Sequence, residues 1–154
     1  MRRILLLAVV TVLAFGIPLY AGSDEEVAKE VIAITKAQWA AEVAGKSVDS
    51  IMEIAADEYT EFNSGAPTRL DGKALNTKIA EANAGASGKM VMGEMTNPKV
   101  QVYGDVAILT YNFIGAMKDK DGVVEPNLAK STRVYAKMGG TWKLVHANFA
   151  PVGD

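Results

Sequence analysis

The 154-residue sequence contains no cysteine and a single histidine, His146. Without cysteine there is no thiolate nucleophile, no iron–sulfur ligation and no disulfide framework, and one histidine alone leaves no ligand set for structural zinc. Basic excess is also missing. The 16 Lys and Arg stand against 18 Asp and Glu, a formal net charge of −2. Such a chain has no electrostatic footprint for nucleic acid and no polybasic patch for anionic lipid. No glycine-rich phosphate loop and no Gly-x-Ser-x-Gly elbow occurs, so the signatures of P-loop enzymes and α/β-hydrolases are missing. Asp119-Lys120-Asp121-Gly122 has too few oxygen donors for a calcium loop and reads as a hairpin turn. Neither a metal nor a cofactor is expected.

Long hydrophobic runs are also scarce, with one exception. Arg2 and Arg3 precede an apolar stretch, Ile4 to Ile17, which Pro18 breaks and Ala21-Gly22-Ser23 closes with small residues. A basic start, a short apolar segment and a small-residue exit describe a secretory signal peptide over residues 1–23. The run is shorter than the ~20 residues that span a bilayer, so cleavage, and no stable membrane anchor, is expected. The mature protein is then periplasmic or extracellular. Losing Arg2 and Arg3 with the leader takes the formal charge from −2 to −4. At 49% hydrophobic, the chain has enough apolar material for one packed domain over residues 24–154.

The order of elements is legible. Ser23-Asp24-Glu25-Glu26 is a capping box that opens a helix running to about Ala44 and stopping at Gly45. Val27, Val31, Ile32, Ile34, Trp39 and Val43 give it a broad apolar face, while Lys29, Glu30 and Lys36 face water. Ser47 caps a short second helix, Tyr59–Phe62 is a brief strand, and Asp71-Gly72 opens a third helix with Leu75, Ile79 and Ala82 on one stripe. From Lys89 onward, β-branched and aromatic runs are separated by Gly104-Asp105, Asp119–Gly122 and Gly139-Gly140, which spells an antiparallel meander with Pro98 at a strand start. Helices first and a meander afterwards define an α+β fold: a cone-shaped, strongly curved antiparallel sheet with N-terminal helices packed on its concave face.

Several words of this sequence, in this order, carry a resemblance. They are Asn97-Pro98, the Gly104 turn, Tyr111, Thr132-Arg133-Val134-Tyr135 and Trp142-x-x-Val145-His146, with Tyr59–Phe62 and Asp71-Gly72 upstream. The pattern resembles the nuclear transport factor 2-like superfamily, in its SnoaL-like and calmodulin-dependent kinase II association-domain branches. The resemblance implies a pocket lined by arginines and by a His-x-His pair on the last strand. Arg133 and His146 match those positions, Asn148 replaces the second histidine, and Phe113 stands where a second arginine is usual. No residue maps onto the catalytic aspartate of the isomerase and cyclase branches, so no catalytic residue is assigned.

Strict alternation along the last strand puts Trp142, Leu144, His146 and Asn148 on one face and Lys143, Val145, Ala147 and Phe149 on the other. Arg133 and Tyr135 share a face of the neighbouring strand. The expected ligand pocket therefore draws on Tyr59, Tyr111, Arg133, Tyr135, His146 and Asn148, a polar patch in an apolar hollow. Structural roles compete with this one. His146 can make a hydrogen bond within the fold, Arg133 can pair with an acid on the long helix or with Glu61, and Trp39 and Trp142 read as core. Val134, Val145 and Phe149 are expected on the outer face, where a twofold homodimer can form. The favoured reading is a non-catalytic exported module that binds a small apolar ligand or a partner. The alternative is an isomerase or lyase that moves a proton on a hydrophobic molecule, with His146 or Glu61 as base and Tyr59 or Tyr111 as hydrogen-bond donor. A deep pocket holding a carboxylate or His146 within hydrogen-bond reach of a tyrosine favours the enzyme.

Overall fold

A computed structural model describes residues 23–84 and 88–152. The proposed signal peptide lies outside the described residues, apart from Ser23. Helix α1 spans Asp24–Val43, and the capping box forms as expected: Ser23 Oγ accepts from the Glu26 amide and Glu26 Oε2 accepts from the Ser23 amide. Gly45, at φ 69°, carries the chain out of the helix in a left-handed conformation that suits glycine. Helix α2 is Val48–Ile51, capped by Ser47, with a 3-10 turn at Met52–Ile54. Strand β1 (Ala55–Phe62) is longer than expected, and a two-residue β2 (Leu70–Asp71) leads into helix α3, Lys73–Asn83. On α3 it is Asn76 that turns inward, donating to the Gly72 carbonyl at 2.9 Å, and Leu75 is exposed. The expected stripe therefore does not form the buried face.

Four long strands follow: β3 (Lys89–Tyr103), β4 (Val106–Lys118), β5 (Val124–Met138) and β6 (Thr141–Pro151). They form the expected antiparallel meander. The full sheet has the order β2-β1-β6-β5-β4-β3. Its one parallel junction is β1 against β6, so the six-stranded sheet is mixed rather than wholly antiparallel. Pro98 lies inside β3 rather than at a strand start. It sits next to Asn97, at φ 51°, in the register shift between Thr96 and Lys99, where a missing N–H costs no ladder bond. The fold is α+β, with helices packed on the concave face of an open, curved sheet.

Between α1 and the sheet lies the core, built on Val27, Val31, Trp39, Leu109, Tyr111, Tyr135, Trp142 and Leu144. A polar pair pins the helix within it. Tyr135 donates to Thr35 Oγ1 at 2.7 Å, and Thr35 in turn donates to the Val31 carbonyl at 2.8 Å. Both side chains are fully buried. Tyr135→Phe removes one hydrogen bond and leaves Thr35 its backbone acceptor. A loss of about 1 kcal/mol is expected, a fall of a few degrees in Tm by thermal unfolding.

Candidate functional site

The inner face of the sheet and the underside of α1 enclose a cavity of about 670 Å³. Alternation along β4 and β5 turns Tyr111, Phe113 and Arg133 toward it. Helical spacing on α1 brings Gln38, Trp39 and Glu42 to the same side as Val27, Val31 and Thr35. Strand β1 contributes Tyr59 and Glu61.

Arg133 is 3% exposed. Its Nε donates to Tyr111 Oη at 3.0 Å and its Nη1 to Gln38 Oε1. The guanidinium carbon lies 5.8 Å from the centre of the Trp39 ring and 5.5 Å from that of Phe149, which adds cation–π attraction. Among the described residues no carboxylate pairs with it. The ion pair that sequence considerations allow for Arg133 is thus replaced by neutral acceptors. A guanidinium has five N–H donors and stays charged. Two bonds to protein acceptors form and the Tyr135 hydroxyl supports the cation as a third neighbour, which is fewer than its five donors, so this side chain brings unused donors to the cavity it lines.

Two carboxyl groups share that cavity. Glu61 accepts from Tyr59 Oη at 2.6 Å through one oxygen and from Asn63 Nδ2 through the other. Burial first, then the adjoining Glu61 carboxylate, holds the Tyr59 hydroxyl protonated far above the usual phenol range. Glu42 makes no hydrogen bond among the described residues. Its pKa is raised by burial, an effect that the charge of Arg133 opposes and that of Glu61 reinforces.

Of the six expected pocket residues, Tyr59, Tyr111 and Arg133 come together around the cavity. Tyr135 faces inward but is fully buried against Thr35, behind the lining. His146 and Asn148 are elsewhere. A register shift on β6 pairs Val134 with His146 but Tyr135 with Leu144, so Val145 is an extra residue, a β-bulge. Beyond it the alternation changes phase, because a one-residue insertion exchanges the faces of everything that follows. His146 and Asn148 move to the outer face, and Ala147 and Phe149 move to the inner one.

His146 Nδ1 shares a 2.8 Å hydrogen bond with Thr60 Oγ1, and its ring meets Phe62 edge-on at 5.8 Å. This is the structural role that competes with a functional one. Asn148 borders a shallower outer groove of about 500 Å³ together with Lys99, Thr110, Asn112, Lys130 and Thr132. Phe149, expected on a dimer face, instead lines the cavity over Arg133. Val134 keeps the outer face, beside His146, and Val145 is half-buried at the bulge.

Gln38, Glu42 and Phe149 are among the lining residues that strand alternation and the apolar stripe do not reveal. The helical phase of Gln38 and Glu42, eleven and fifteen residues after Val27, is the signal for two of them. Phe113, at the position of a usual arginine, lines the cavity as an apolar wall 5.0 Å from Trp39. Trp39 is core, as expected, and lining at once.

Residues 27–153 match the family described as the calcium/calmodulin dependent protein kinase II association domain. No protein of curated function matches the sequence. The solved structures it resembles include the CaMKII hub of S. rosetta, at 26% identity and a TM-score of 0.68, covering 86% of this chain and 98% of that one. The association domain of C. elegans CaMKII superposes with a TM-score of 0.66 at 19% identity, over 83% of this chain and 98% of that one. An NTF2-like protein of unknown function from Pseudomonas putida KT2440 gives a TM-score of 0.71 at 20% identity, over 86% and 92% of the two chains.

Proposed function

The chain belongs to the calcium/calmodulin-dependent protein kinase II association-domain family, and from that premise we propose that it is an exported, self-associating module that binds a small molecule in its cavity. The observation that carries the binding reading is Arg133: a buried cation with no carboxylate partner and with donors left over, set among aromatic rings. A buried charge of this kind calls for a counter-group, and a ligand with an anionic or strongly polar end and an apolar body supplies one. Export rests on the apolar leader of residues 1–23. Self-association rests on the family and on the outer face, where Phe62, Val106, Ile114 and Leu128 are exposed.

A specific observation favours the acid–base alternative. The cavity holds a carboxylate hydrogen-bonded to a tyrosine, Glu61 to Tyr59. Against it, both Glu61 oxygens already accept hydrogen bonds, and Tyr59 donates its only proton to Glu61. That leaves the tyrosine no proton for a substrate.

Native mass spectrometry of the protein purified from its own source tests the reading, because it reports subunit number and any retained molecule together. Two or more subunits, each with a small-molecule adduct, are expected. Monomer alone at micromolar concentration removes the self-association claim. A retained molecule that the protein converts, with conversion lost in Glu61→Gln, moves the reading to the enzyme.

A further inference from the structure

Five charged groups line one cavity: Lys46 and Lys89 are exposed, and the three that are buried or half-buried do not neutralise one another. Arg133 projects from β5, Glu61 from β1 and Glu42 from α1. Neither carboxylate forms an ion pair with the guanidinium. Each oxygen of Glu61 already accepts one hydrogen bond, from Tyr59 and from Asn63. Glu42 is half-buried and without a hydrogen-bond partner among the described residues, so of the two it is the carboxyl group with its full acceptor capacity open to the cavity. A simple anion drawn to Arg133 meets repulsion from Glu61 and, once it is ionised, from Glu42. A simple cation drawn to Glu42 meets repulsion from Arg133. In a partly desolvated hollow both penalties are larger than they are in water.

A ligand carrying both charges escapes both penalties. Building on the reading of this cavity as a binding site, we propose that its ligand is a zwitterion: a carboxylate on the free guanidinium donors of Arg133, an ammonium on Glu42, and an apolar body against Trp39, Phe113 and Phe149. An arginine can grip a carboxylate through two parallel hydrogen bonds, which orients the molecule along the cavity.

The proposal has a proton signature. Burial, opposed by Arg133 and reinforced by Glu61, makes Glu42 hold its proton above the usual carboxylate range. Tyr59 also lines this space, and Lys46 and Lys89 stand at it from the chain after α1 and from β3. An incoming ammonium favours the ionised carboxylate, so binding expels a proton, and affinity falls as pH drops through the raised Glu42 pKa.

Isothermal titration of the purified protein tests this with four probes: leucine and ω-aminohexanoate, isomers that hold the two charges at different separations, and hexanoate and hexylamine, which carry one charge each. At least one zwitterion is expected to bind about tenfold or more tighter than both single-charge probes. The same zwitterion should release protons in buffers of different ionisation heat and bind more weakly at about pH 5 than at about pH 8. Glu42→Gln should remove the preference and the proton release, and Glu42→Asp should retain part of each. The wild-type proton release stands as a readout if either variant fails to fold. Hexanoate binding as tightly as the zwitterions, without proton release, overturns the zwitterion and leaves Arg133 as a ligand site. Hexylamine binding tightest overturns it in favour of a cation. No binding by any probe overturns the zwitterion proposal as well. The cavity reading itself falls only if the protein also retains no molecule through purification.

Discussion

Arg133→Met is expected to lower the affinity of the cavity for its retained ligand by about a hundredfold or more, on the order of 3 kcal/mol, while the protein stays folded. The two halves of this result have separate causes. Ligand affinity depends on the guanidinium because the donors left unused by Tyr111 and Gln38 are, among the described residues, the only fully charged donors buried in the lining. Stability depends on it much less. A buried cation without an ion-pair partner carries a desolvation penalty, and methionine fills similar volume between the Trp39 and Phe149 rings without that penalty. Tyr111 and Gln38 lose a donor each, which offsets part of the gain. The net change in unfolding free energy is expected to stay within about 1 kcal/mol. Calorimetric binding and thermal unfolding of the same variant check both halves. A large fall in Tm with unchanged affinity contradicts the assignment of Arg133 to ligand binding.

Trp39→Ala is expected to produce the largest loss of stability, about 3–5 kcal/mol. Trp39 is 5% exposed and stands where the helix meets the sheet. Its ring packs 5.5 Å from Tyr111 and 5.0 Å from Phe113, and the Arg133 guanidinium lies over it. Truncation removes aromatic area that no neighbour can replace, since the space beyond it is already a hollow. Against a typical stability of about 5–15 kcal/mol, that loss is a large fraction of the total. The expected fall in Tm is on the order of 10–20 °C. Denaturant unfolding that shows a cost below about 1 kcal/mol contradicts the placement of α1 against the sheet.

The sequence and the structure agree where the physics is local. The Ser23 capping box, the Ser47 cap and the hairpins at Gly104-Asp105 and Gly139-Gly140 depend on neighbouring residues, and each forms as read. The parallel pairing of β1 with β6 is not legible, because about half of the chain separates the two strands and no turn residue marks their junction. The bulge at Val145 mattered most for the site. A period of two carries no mark of an inserted residue, and alternation propagated past Leu144 sends His146 inward and Phe149 outward. One trace of the phase change was present in the side chains themselves: beyond the bulge, aromatic Phe149 belongs inside and polar Asn148 outside. Gln38 and Glu42 were hidden for a different reason. Polar residues on a helix are read as solvated by default, and only their phase with Val31 and Thr35 places them beneath the sheet.

The inward guanidinium and the outward imidazole are therefore the core of the account. A crystal structure of the protein with its retained molecule tests them most directly. The expected result is density for a small molecule in the inner cavity, with an acceptor atom within hydrogen-bond distance of Arg133 and His146 still bonded to Thr60 on the opposite face. A molecule seated in the outer groove beside Asn148, with Arg133 closed off by a carboxylate of its own chain, contradicts it.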